Sequence, residues 1–314
     1  RAEACRIGIG RAALEQCAWA DERGFVSVTL SEHHGSPDGY LPSPMVMAGA
    51  VAARTRRLRI VLAAVIAPLH DPIRLAEDLA VVDVLSNGRL LPVLGAGYVE
   101  SEFRTFGRTL AERGRALEEA VRVLERAWTG EAFEHRGVRV RVTPRPVQRP
   151  RPPLWLGGAA PAAARRAARI ADGFLPAVPA AWEVYRSERV RLGHPDPGAL
   201  APSLAPFVHV ARDPDAAWAR IAPHALHESR SYARWAAESG AETPYEAAED
   251  ADALRASGRY LVLTPEDLTA RARALPPLGV VLLHPLMGGL DPALGWESLR
   301  LVAEQVIPSL RQSR

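Results

Sequence analysis

Cysteine is almost missing from this chain: two of 314 residues, Cys5 and Cys17, and no C-x-x-C pair. That excludes a disulfide framework and suits a reducing cytoplasm. Apolar runs of membrane-spanning length are also missing, because Asp, Arg or Pro interrupts each stretch. There is no signal-peptide pattern and no initiator Met. Net charge is only +3, its positive part is carried by Arg spread along the chain, and no basic run is interleaved with aromatics. Neither a membrane nor a nucleic-acid partner is expected. No H-E-x-x-H occurs, and no Cys/His cluster has ligand spacing, so no metal is expected.

What is present is an alternation of short apolar runs with longer amphipathic stretches. Strands are predicted over Phe25–Leu30, Leu58–Val65, Leu90–Leu94, Leu154–Leu156, Gly173–Leu175, Phe207–Val210 and Val280–His284. Helices are predicted over Arg11–Arg23, Ser43–Arg54, Pro72–Leu85, Thr109–Trp128, Pro161–Ile170 and Trp182–Arg191, with a long one within Pro214–Glu238. Parallel neighbours need long crossovers, so this rhythm implies an α/β fold with a parallel sheet, open or closed into a barrel. An eight-stranded barrel needs one strand before Arg11. Either Cys5–Ile9 supplies a poor one, or the strand lies upstream of Arg1. Two stretches break the rhythm. Phe133–Val142 reads as a β-hairpin leading into the proline-rich connector Pro144–Pro153, a domain linker or a surface excursion. Ser239–Gly258 reads as a mobile loop or lid.

Several segments could carry chemistry. Ser31-Glu32-His33-His34 follows a strand, where parallel α/β folds bind ligands. Histidine titrates near neutrality and suits acid/base work there, although solvated loop histidines are the bland alternative. His70 could join such a site, but Asp71-Pro72 beside it reads as an ordinary helix cap. Gly95-Ala96-Gly97 ends another strand. The third glycine of a dinucleotide fingerprint would fall at Glu100, so the pattern fails, yet close backbone approach to a flat ligand remains reasonable. Gly157-Gly158-Ala159 runs into a helix N-terminus, either a phosphate cradle or a tight turn. Arg115 could reach a phosphate; a solvated helix face with Glu118 and Glu119 is the usual alternative. His224 and His227 read as surface residues, and the seven Trp as core or rim.

Taken together and in order, these segments resemble the bacterial-luciferase-like monooxygenases over nearly the whole chain. The resemblance runs from Ala20-Asp21-Glu22-Arg23-Gly24-Phe25 through Ser31-Glu32-His33-His34, Leu69-His70-Asp71-Pro72 and Ser86-Asn87-Gly88-Arg89. It continues through Gly95-Ala96-Gly97-Tyr98, Arg113-Gly114-Arg115, Gly157-Gly158 and Ala171-Asp172-Gly173-Phe174, and closes at His284-Pro285-Leu286 and Trp296-Glu297-Ser298. It implies a single (β/α)8 TIM-barrel domain over residues 1–314, with insertions and a flavin-type cofactor at the C-terminal strand ends. It implies that His33 is the catalytic histidine near the flavin C4a–N5 edge, with Glu32 at the cofactor. It also implies a cis peptide Ala63-Ala64 under the ring. Gly95, Ala96 and Gly97 would line the ring or its side chain, and Arg115 with the Gly157, Gly158 and Ala159 amides would hold the phosphate.

The chain departs from the pattern at Ala159, where many relatives carry Ser, and at Ala96, where the luciferase branch carries Arg. A charge-assisted hydrogen bond lost there is worth about 1.5–3 kcal/mol. The activity implied is that of an FMN-dependent monooxygenase acting on a small organic substrate with reduced FMN from a separate flavin reductase, as a homodimer. The same fold also runs hydride transfer with the deazaflavin coenzyme F420. A non-catalytic flavin-binding protein is the reading from another class.

Overall fold

The computed structural model describes residues 2–240 and 247–311, which fall into two compact units. Among the described residues, the larger comprises Ala20–Gly198 and residues 235–240. The smaller includes the first helix through Trp19, Ala199–Arg234 and the C-terminal part.

The chain opens with α1 (Ala2–Ala20). Cys5–Ile9 is therefore helical, and the predicted helix Arg11–Arg23 starts nine residues earlier than its pattern suggested. The strand was only a poor candidate there, and the segment instead continues the helix that follows it.

The larger unit then runs β1 (Ser27–Leu30), α2 (Pro44–Arg54), β2 (Arg59–Ile66), α3 (Pro72–Ser86), β3 (Leu90–Gly95), α4 (Glu100–Thr105) and α5 (Arg113–Ala127). The hairpin β4 (Phe133–His135) and β5 (Val138–Val140) follows, then β6 (Trp155–Gly158), α6 (Pro161–Ile170), β7 (Gly173–Pro176) and α7 (Pro179–Arg191). The sheet order is β1-β2-β3-β6-β7, and every pairing is parallel. Helices cover it because its strands are apolar. Ile60, Leu62, Leu90 and Leu94 are almost fully buried, as are Leu75 and Leu79 of α3 and Leu124 of α5. The hairpin turns at Arg136 and Gly137, both with positive φ (50° and 77°), as a two-residue type I′ turn requires. The connector after it stays within this unit and returns the chain to β6.

The N-terminal edge of this sheet is clasped by charged side chains. Asp21 accepts from the amides of Arg56, Arg57 and Leu58, just before β2. Burial opposes its ionisation, but those amides and the Arg57 charge keep its pKa below the usual carboxylate value. Asp83 accepts from the Val147 and Gln148 amides and from the Gln148 side chain, pinning the proline-rich connector. Asp172 accepts from the Leu154 amide, at the entry to β6. Arg89, just before β3, donates to Thr55 Oγ1 and to the carbonyls of Ser86, Leu58, Ala52 and Thr55.

In the smaller unit, β8 (Phe207–Val210) pairs in parallel with β9 (Tyr260–Leu263). Between them run α8 (Pro214–Ser239), whose residues through Arg234 belong here, and α9 (Ala251–Ala256). α10 (Pro265–Ala274), α11 (Pro292–Leu301) and α12 (Ile307–Arg311) complete it. β9 was not anticipated. The helix α9 lies within the stretch expected to be a loop, whose residues 241–246 are outside the described ones. The predicted strand Val280–His284 makes only isolated parallel bridges, Val280 to Ser203 and Leu283 to Val208. Phe207, Trp218, Ile221 and Leu290 form the core. His209 of β8 is 2% exposed, and burial lowers its pKa to about 4.

Candidate active site

The C-terminal edge of the five-stranded sheet gathers most of the residues singled out from sequence. β1 ends at Leu30, so Glu32, His33 and His34 follow directly at that edge. The loop beyond folds back, and the His33 amide donates to the Leu41 carbonyl.

Glu32 is buried and its carboxylate is fully used within the protein. Oε1 lies 2.8 Å from Nε2 of both His34 and His70, and Oε2 accepts from the Ile66 amide at 2.7 Å. Burial works against its charge. The two imidazoles and the amide outweigh it and hold the pKa down at about 2. Glu32 thus ties the end of β1 to the end of β2, and acts at the edge through its histidines. His70 joins the cluster while Asp71 beside it caps α3, accepting from the Ile73 and Arg74 amides.

His33 is 5% exposed. Its Nδ1 lies 2.9 Å from Oε1 of Glu102, on α4, and the same oxygen accepts from the His34 amide at 2.8 Å. Glu102 Oε2 is buried with no hydrogen-bond partner among the described residues. Trp235 stacks on the imidazole, with centroids 4.2 Å apart and planes 24° apart. Tyr40 and Tyr98 meet the same ring at steep angles, 5.0 and 6.0 Å away.

Across the edge, the Ala63–Ala64 peptide bond is cis, and the β2–β3 register slips between Ala63 and Val65. Gly95 and Gly157 flank the Ala64 methyl. A Cβ on Gly95 would come within 3.1 Å of it, and one on Gly157 within 3.9 Å. Gly97 has φ +75° and packs against Ile66 and Phe103 so closely that any side chain would collide. Ala96 lies between these two glycines and is half-buried. Gly157 and Gly158 end β6, with Ala159 half-buried just after them. α6 begins at Pro161, and its N-cap Ala160 supplies no side-chain acceptor to the first turn.

Arg115 stands apart from this gathering. Its side chain is 77% exposed and pairs with Glu112. The guanidinium against Gly114 belongs instead to Arg166 of α6, which pairs with Glu118. His224 is half-buried and its Nδ1 lies 2.9 Å from the Gly288 carbonyl oxygen, so it is not the surface residue its pattern suggested. Sequence reasoning also missed Glu102 and Trp235. Glu102 had a usable signal, an acidic residue flanked by the apolar Val99 and Phe103 just after a glycine strand end. Trp235 had none, being one of several Trp on helices.

The chain can be set beside known proteins at this point. The family model described as luciferase-like monooxygenase matches residues 9–281. The oxygenase component of a flavin-dependent trigonelline monooxygenase from Acinetobacter baylyi is 30% identical over 155 residues, 47% of this chain and 43% of that protein. This chain therefore spans less than half the length of that curated relative. An F420-dependent glucose-6-phosphate dehydrogenase from Nakamurella multipartita is 30% identical over 93% of this chain and 90% of its own. Among solved structures, the monooxygenase RslO1 from Streptomyces bottropensis superposes with a TM-score of 0.69 at 25% identity, covering 95% of this chain and 93% of that one. The fold class is accordingly the α/β TIM barrel of these enzymes. The chain belongs to the luciferase-like monooxygenase family.

Proposed function

We propose that this chain is the oxygenase of an FMN-dependent monooxygenase system, acting on a small organic substrate with reduced FMN delivered by a separate reductase. The observation that carries the reading is the buried His33, fixed by Glu102 on the sheet edge that also holds the Ala63–Ala64 bond between two glycines. Where Gly95 and Gly157 flank Ala64, the backbone can be approached by a flat ring system. Gly95, Ala96 and Gly97 would line one part of that ring, and Ala63 and Ala64 another. The N-terminus of α6, which has no side-chain cap, together with Gly157, Gly158 and Ala159 before it, would face the phosphate. Arg115 would have to leave Glu112 to join them. Bound reduced FMN supplies the two electrons with which molecular oxygen is split between substrate and water.

The protein's own part is positional. His33 holds or passes a proton beside the reacting groups. Trp235, Tyr40 and Tyr98 close around its ring and keep water off it. Glu32 keeps His34 and His70 oriented. A homodimer belongs to the same reading. Val81, Val84 and Leu85 expose one apolar face of α3, and Val46 does so on α2, which packs against it.

A second reading has a specific observation in its favour. The F420-dependent relative aligns over nearly its full length, whereas the flavin-dependent one aligns over less than half. Anaerobic titration with reduced FMN and, separately, with reduced F420 decides between them. Tight binding of reduced FMN, followed by oxygen consumption when oxygen is admitted, supports the monooxygenase. Binding of F420 alone moves the assignment to hydride transfer, and binding of neither overturns both.

A further inference from the structure

Three histidines meet carboxylates at this sheet edge, and they do not meet them alike. His34 and His70 approach Glu32 through Nε2, whereas His33 approaches Glu102 through Nδ1. We propose that Glu102 is a positioning residue that locks His33 in the tautomer protonated on Nδ1, so that Nε2 is the nitrogen that takes up and releases protons in the reaction. The inference rests on His33 being the working histidine of the proposed function.

Glu102 Oε1 accepts from the His34 amide, so the chain segment that carries His33 also aims the carboxylate. α4 is itself anchored, because Val99 and Phe103 on either side of Glu102 are 1% and 0% exposed. Oε1 already accepts the His34 amide and faces the ring as an acceptor. The nitrogen facing Oε1 is therefore the donor, and in the neutral ring the lone pair falls on Nε2. Turning the ring over would put a carbon against Oε1 and leave a buried carboxylate short of a donor. The stacked Trp235 and the rings of Tyr40 and Tyr98 further resist that turn. Glutamine at position 102 can keep an oxygen at the Oε1 place and put its amide where Oε2 now lies unpartnered. It separates the geometry of the contact from its charge.

The test reads tautomers directly, without cofactor or substrate. The full chain is labelled with 15N histidine, and long-range 1H–15N spectra are recorded as pH is raised until the ring signals are those of neutral imidazole. The His33 signals are identified by their loss in His33→Gln. The expected result is a pyrrole-type Nδ1 and a pyridine-type Nε2 for His33, with the reverse pattern for His34 and His70. Glu102→Gln keeps the His33 pattern, and Glu102→Ala moves the pyridine-type signal to Nδ1. A wild-type His33 with its proton on Nε2 overturns the proposal, even if Glu102→Ala does not fold. So does a folded Glu102→Ala that leaves the pattern unchanged. Failure of the flavin titration would remove the functional reading but leave this measurement intact.

Discussion

Glu32 and Glu102 are both buried carboxylates on one edge of one sheet, and both hold histidines. They differ in how fully they are used. Glu32 has a partner on each oxygen and three in all, drawn from three points of the chain. Glu102 concentrates its two partners on one oxygen and leaves the other without one among the described residues. A saturated carboxylate is a clasp: its charge is cancelled where it lies, and its loss is felt as lost stability. An unsaturated one keeps acceptor capacity, and its loss is felt first in what its partner does.

The harshest way to break the comparison is to remove the clasp. Glu32→Ala leaves two imidazoles and the Ile66 amide without their acceptor, and is expected to cost about 3–5 kcal/mol in urea unfolding at pH 7. A loss below 1 kcal/mol would show that the cluster reorganises cheaply.

pH sharpens the contrast by adding a buried ionisable group with no carboxylate partner among the described residues. His209 binds its proton near 6.5 when unfolded but only near 4 when folded. The unfolded chain therefore holds more protons between those values. Stability is full above about pH 6.5 and falls by about 3 kcal/mol as pH drops to 4. Glu32, depressed from 4.5 to about 2, contributes above pH 4.5 and is lost below it, so the two windows separate. Unfolding free energies from pH 7 to pH 3 should show both limbs, and His209→Phe should flatten only the first.

Glu102→Gln is expected to cost less than about 1 kcal/mol, because both accepted bonds can survive. A cost matching that of Glu32→Ala would erase the distinction between the two carboxylates.

The smallest effect on stability is expected at Gly157. A methyl there meets Val93, the Leu175 carbonyl oxygen and Ala64 only at ordinary contact distances, from 3.5 to 3.9 Å. Gly157→Ala should unfold within about 0.5 kcal/mol of the wild type. If a flat ring approaches that backbone, its affinity for reduced FMN should nevertheless fall at least tenfold, on the order of 1.4 kcal/mol. Unchanged affinity would move the ring away from β6.

The readable parts of this chain were local in cause. Strand ends carrying Ser31-Glu32-His33-His34, Gly95-Ala96-Gly97 and Gly157-Gly158 announce themselves in a few residues. The hairpin at Arg136-Gly137 does too, through its turn chemistry. The site's finer arrangement depends on contacts across distance. His33 and Glu102 are 69 residues apart, and the stacking of Trp235 on His33 spans far more of the chain. No periodicity encodes either meeting. β9 was missed although Gly258 before it and Thr264-Pro265 after it are ordinary boundary signals; only four residues lay between them. Arg115, a phosphate ligand only by the resemblance, pairs with Glu112 one turn earlier, the kind of solvated helix-face contact that its own spacing favours.

The clasps Asp21, Asp83, Arg89 and Asp172 all lie at the strand entrances, opposite the edge that gathers the histidines. Assembly and chemistry thus draw on separate sets of residues within one sheet. Loops at the far edge can be rewritten by mutation while these four contacts go on setting strand order. A lineage built this way can change what it binds without having to solve its folding again.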